Sequence, residues 1–133
     1  MSTRSQIGFY KEGEKDEEKF QSLIYRHYDG YPSGVLDDII PILKDFNENR
    51  GIDDLEYCSA WLVSKLKNDY LNIGISKVFH LDIEYLYKIF SNGLIEVYEI
   101  NNWNKEMKKK KLYSFNINNK EEIDEVIKKY EEN

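Results

Sequence analysis

The chain changes its hydrophobic period at the segment Tyr25-Arg26-His27-Tyr28-Asp29-Gly30-Tyr31-Pro32-Ser33-Gly34, and this change narrows the available folds more than any other feature. Before it, Gln6 to Tyr10 and Phe20 to Tyr28 are short aromatic and β-branched runs, separated by the charged, Gly-containing stretch Lys11 to Lys19. That is the pattern of a β-hairpin with a long solvated loop. After it, Leu36, Ile39, Ile40, Leu43 and Phe46 recur at helical spacing, so a helix from about Val35 to Asn47 presents one apolar face to the sheet. Between them, Gly permits positive φ, Pro fixes φ, and Asp bonds the backbone ahead of it, which holds the polar side chains of the turn in a defined arrangement.

The rest of the chain repeats these two periods. Pro41 falls within the first helical pattern and predicts a kink or an interruption. Asn49-Arg50-Gly51 is a stop, and Asp53 or Asp54 caps a second helix running to about Tyr70, with Leu55, Cys58, Leu62 and Leu66 as its stripe and Trp61 at the edge. Val78 to His80, Ile83 to Phe90, Leu94 to Ile100 and Leu112 to Phe115 read as strands. Asn92-Gly93 joins the middle two. A two-residue type I′ turn there sets Tyr87 opposite Tyr98 and Tyr85 opposite Ile100 on one buried face. Asn118 or Asn119 caps a last helix, whose Ile123, Val126, Ile127 and Tyr130 form the docking stripe. The expected fold is α+β, one domain over residues 1–133, with a mainly antiparallel sheet and about three helices packed on one face.

Composition bounds the function. The 133 residues fit a single domain. Eleven Tyr, six Phe and two Trp form an aromatic excess that belongs on a half-buried sheet or its rim. A net charge of −6 argues against general affinity for nucleic acid or anionic membrane. Cys58 is the only cysteine, which excludes an intrachain disulfide and a cysteine-based zinc site. With no apolar h-region after Met1 and no apolar run approaching ~20 residues, the chain reads as a cytoplasmic protein, neither exported by that route nor membrane-spanning.

Two constellations can carry chemistry. If the first two strands pair, Arg4 and Ser5 approach the turn bearing Arg26, His27, Tyr28, Asp29 and Tyr31. Arg and His there suit a nucleotide-like or other phosphorylated anion, and His beside Asp suits a general base. The local alternative, which the residue types favour, is that Asp29 caps its own turn and Arg4 pairs with it to fasten the N-terminus. The second constellation is Trp103 with Lys108, Lys109, Lys110 and Lys111, an indole beside cations that resembles a weak single-strand nucleic-acid patch and is more simply a solvated loop or guarded edge strand. His80 reads as an ordinary sheet histidine. No metal-ligand spacing, nucleophile motif or phosphate loop is present, so no catalytic residue, metal or cofactor is assigned.

The stretches Ser2-Thr3-Arg4-Ser5, Tyr25 to Gly34 and Asp82-Ile83-Glu84-Tyr85-Leu86-Tyr87 resemble the patterns (S/G)TRS, Y-x-(H/Q)-aromatic-D-G-Y-P-x-G and D-x-E-Y-x-Y of a group of small, uncharacterised prokaryotic and phage proteins. The resemblance covers about a quarter of the chain, excludes Leu43 to Lys77, and brings no established activity. It implies an accessory protein of bacteria and their mobile elements. The expectation is therefore a non-enzymatic binding protein, such as an anti-CRISPR or other anti-defence inhibitor, that meets a host defence protein or nuclease through protein–protein contact. The alternative is a small module that binds, sequesters or hydrolyses a phosphorylated ligand through Arg4, Arg26 and His27. Sheet edges and surplus tyrosines are also compatible with a homodimer.

Overall fold

The two runs that open the chain pair as expected. Strand β1 (Ser5–Tyr10) lies antiparallel to β2 (Ser22–Arg26), with Ile7 opposite Ile24 and Ser5 opposite Arg26. The computed structural model describes residues 3–67, 72–102 and 108–132. It continues through α1 (Pro32–Asn49), α2 (Leu55–Leu66), β3 (Ile73–Ile75), β4 (Tyr85–Phe90), β5 (Leu94–Asn102), β6 (Lys108–Asn116) and α3 (Lys120–Glu131). The six strands form one sheet in the order β3-β2-β1-β4-β5-β6. Among the described residues only the central β1–β4 pairing is parallel; the other four are antiparallel. The α+β class is as expected.

Two expectations need correction, and one is narrowed. Helix α1 continues through Pro41, so of the kink or interruption expected there the interruption does not occur. Pro41 and Asp37, whose carbonyl loses its helical donor, both lie on the exposed side, where water can replace the missing bond. The third strand is Ile73–Ile75, which pairs with β2, and Val78–His80 is not a strand. There the Gln6 side chain takes the place of a neighbouring strand: its amide donates to the Val78 carbonyl at 3.2 Å and its carbonyl accepts from the His80 N–H at 2.9 Å.

The β4–β5 register is also one residue away from expectation. The Gly93 N–H donates to the Phe90 carbonyl at 2.9 Å and Gly93 has φ +90°, so the loop is Ser91-Asn92-Gly93, three residues long with a left-handed glycine at its end. Tyr87 therefore faces Val97, and Tyr98 faces Leu86. One residue of slip moves a side chain to the other side of a sheet. The two tyrosines stand on opposite faces.

All three helices cover the face that carries Ile7, Phe9, Ile24, Tyr87, Ile89 and Val97. Leu36, Ile39 and Leu43 of α1, Cys58 and Leu62 of α2, and Ile123 and Val126 of α3 complete this main core, and each fully buried leucine or isoleucine contributes about 1.5–3 kcal/mol. Asp54 caps α2 by accepting from the Tyr57 N–H, and Asn119 caps α3 by accepting from the Glu122 N–H. The expected helix end at Tyr70 lies outside the described residues; α2 ends at Leu66. On the opposite face a smaller cluster of Ile83, Leu86, Tyr98 and Ile100 packs with Tyr25 and Phe79.

Candidate functional site

The sheet separates the residues that the sequence brings together. Ser5 and Arg26 are register partners, and both are buried on the helix side. The Arg26 guanidinium pairs with Asp38 of α1 at 2.7 Å and donates to the Tyr28 carbonyl at 2.9 Å. Strand alternation sends Arg4 to the other side. There it meets Asp82 at 3.4 Å. Arg4 and Arg26 thus share one end of the sheet and never share a face.

His27 lies with Arg4's group. Its Nδ1 is 3.0 Å from the Tyr25 hydroxyl, and its ring meets Tyr28 edge-on. His80 stacks on Tyr25 at 4.4 Å. Burial raises the Tyr25 hydroxyl pKa, with Asp82 acting in the same direction and Arg4 against it. Asp29 adopts φ +54° and accepts from the exposed Tyr31 hydroxyl at 3.3 Å. No bond joins His27 to Asp29, nor Arg4 to Asp29, so the base pair and the fastener that the sequence suggests are both replaced by other partners: Tyr25 for His27 and Asp82 for Arg4.

The turn itself is held from three directions. The Gly30 N–H donates to the Thr3 carbonyl at 2.9 Å, the Tyr87 hydroxyl donates to the Gly30 carbonyl at 2.6 Å, and Gly34 sits directly against the Asp29 carbonyl. Ser5 Oγ is buried beside Gly30 without a hydrogen-bond partner among the described residues. Chemically, this end of the sheet fixes the entry to α1, and it presents Tyr28 and Tyr31 to solvent.

The lysine stretch is the guarded edge. Lys108, Lys109, Lys110 and Lys111 open β6, the outer strand of the sheet. Lys111 pairs across to Tyr98 and Lys109 to Ile100, which directs these two to the face away from the helices. Trp103 lies outside the described residues. Among those residues no helix is long and apolar enough to cross a membrane, and no group of three or more His, Cys, Asp or Glu is placed to hold a metal ion.

A feature the sequence reading passed over stands on the helical layer. Residues 32–67 and 120–132 carry thirteen acidic and seven basic side chains, so the whole net charge of −6 resides in the two helical segments and the remaining chain is balanced. Between the end of α1 and the start of α2, Phe46, Asn49, Arg50, Tyr57 and Trp61 line an open groove of about 450 Å³. Tyr57 is 54 % and Trp61 39 % exposed. Arg50 lies 3.9 Å over the Tyr57 ring and pairs with Asp54 at 2.9 Å; the hydrogen bond from Arg50 holds the Asp54 carboxyl below its ordinary range. Lys65 stands 4.8 Å over Trp61. The available signal was helical: Tyr57 and Trp61 are four apart, one position off the Leu55-Cys58-Leu62 stripe, so they share a face that is not the core face.

Comparison of the chain with protein-family models, with curated proteins and with solved structures finds no match.

Proposed function

We propose that this protein acts by binding another protein, without catalysis, and that its helical layer is the binding face. The observation that carries the reading is the coincidence of the entire −6 charge with the exposed Tyr57, Trp61 and Arg50 on the same layer. Trp, Tyr and Arg dominate the energetics of protein interfaces, and a desolvated aromatic pair surrounded by charge is the usual form of such a centre. The acidic surround selects a basic partner and speeds encounter with it. Among basic partners, nucleases of host defence systems carry cationic channels for nucleic acid, and an acidic protein seated in such a channel excludes the substrate. That makes the chain an anti-defence inhibitor of phage or mobile-element type, anti-CRISPR activity included.

The test is phage plaquing on cells that each carry one nuclease-based defence system and express this protein. Wild type should restore plaquing against at least one system, and the Tyr57→Ala/Trp61→Ala variant, folded and equally abundant, should not. No restoration in any system, or equal restoration by the variant, contradicts the reading.

A further inference from the structure

Lys88 occupies the middle of β4 on the face away from the helices, between Leu86 and Phe90 on the same side, and is only 4 % exposed. A lysine in that position has lost most of its hydration, and burial lowers its pKa. Lys109 and Lys111 reach toward it from the edge strand. The three ammonium groups stand 5.1, 5.1 and 5.8 Å from the centre of the Tyr98 ring.

Two carboxylates balance them, and they differ in origin. Glu96 belongs to β5 and accepts from Lys111 at 2.9 Å and from the Tyr98 hydroxyl at 2.7 Å. Glu17 comes from the β1–β2 connection; it accepts from Lys88 at 2.9 Å and pairs with Lys109. Beside them lies a cavity of about 240 Å³, walled by Lys88, Glu96, Tyr98, Lys109 and Lys111 and by Gly13 to Lys15 of the same connection.

We propose that this cavity is a site for a phosphate dianion, either inorganic phosphate or the terminal phosphomonoester of a small metabolite, and that Glu17 occupies its cationic centre when no ligand is bound. Charge selects the ligand. With Glu17 displaced, the cavity lining holds the ammonium groups of Lys15, Lys88, Lys109 and Lys111 against the carboxylates of Glu14 and Glu96 and leaves two positive charges, which match the roughly −1.5 to −2 of a phosphomonoester at neutral pH. A carboxylate monoanion leaves one charge uncompensated. The volume is below the range of about 300–1,000 Å³ typical of pockets for drug-sized ligands, which suits a phosphate with few further atoms. Lys88, almost without water, contributes a charge that solvent screens little.

Calorimetric titration of the full chain at low ionic strength with inorganic phosphate and with glucose 6-phosphate, chloride as control, tests the site. Wild type should bind at one-to-one stoichiometry. Glu17→Gln, which removes the competing carboxylate, should bind about tenfold more tightly, and Lys111→Gln, at an exposed position that leaves the core intact, about tenfold more weakly. Tighter binding of the sugar phosphate identifies a metabolite as the ligand; equal binding identifies free phosphate. Absence of saturable binding in both folded wild type and folded Glu17→Gln, or binding indifferent to Lys111→Gln, overturns the proposal.

Discussion

The hydroxyl of Tyr87 donates a 2.6 Å hydrogen bond to the carbonyl of Gly30, tying the centre of the sheet to the turn that starts α1. Tyr87 is fully buried and Gly30 is buried with it. Tyr87→Phe keeps the ring and strands the carbonyl, so it should lower unfolding stability by about 1–3 kcal/mol. Urea denaturation with an unchanged m-value measures this. A neutral substitution would mean that the bond does not fasten the turn.

Gly34 makes a different demand on the same turn. A Cβ at this position runs into the Asp29 carbonyl oxygen, which is backbone and cannot swing aside. Gly34→Ala should cost about 1–3 kcal/mol, as overpacking does. Gly74, in β3, has open space around its Cβ direction, so Gly74→Ala should be neutral or slightly stabilising. Thermal melts of the two variants separate close approach from a general intolerance of alanine.

The two arginines at this end should also differ. Arg26 is buried between Asp38 and the Tyr28 carbonyl, and Arg26→Met leaves that carbonyl without its donor, a loss of about 1–3 kcal/mol. Arg4 forms a partly exposed pair with Asp82, and Arg4→Met should change stability by no more than about 1 kcal/mol. Equal losses at the two positions would contradict their assignment to opposite faces.

At alkaline pH the tyrosines control stability. Burial, the largest cause in each case, raises the pKa of Tyr10, Tyr98 and Tyr130, and raises that of Tyr87 well above its ordinary value. Groups with raised folded values stabilise fully below the unfolded pKa of about 10 and lose that contribution as pH climbs beyond it. Lys88 and Lys109, lowered by burial, work in the opposite sense just below their ordinary 10.5; the raised tyrosines, which also include Tyr25, Tyr31 and Tyr85, outnumber them. Tyrosinate absorbance should therefore rise in the same cooperative step that abolishes near-ultraviolet circular dichroism. Smooth ionisation of all tyrosines around pH 10 with the fold intact would be the contrary result.

Legibility in the sequence followed locality. Helices α1 and α3 and the β1–β2 pairing rest on strong periodicity in short windows, and they stand where the periods put them. The β4–β5 register failed because Asn-Gly serves both a two-residue turn and the three-residue loop seen at Ser91-Asn92-Gly93. The strand expected at Val78–His80 failed because Gln6, 72 and 74 residues before the two backbone groups it bonds, supplies their partners through a side chain. Arg4 and Arg26 were correctly brought to one end of the sheet, but facing depends on strand alternation, which the turn chemistry alone does not reveal. Lys88 offered a usable sign: a lysine whose i±2 neighbours, Leu86 and Phe90, are both large and apolar lies on a covered face.

The most direct test of the binding reading is the affinity of the purified protein for a defence nuclease whose plaquing restriction it relieves, measured for wild type and for the Tyr57→Ala and Trp61→Ala variants at low and high salt. The expected result is one-to-one binding that weakens with salt and loses at least about 2 kcal/mol, roughly thirtyfold, on removal of either aromatic side chain. Binding that ignores both substitutions, or no binding to any nuclease of the panel, contradicts a partner-binding role for the helical layer.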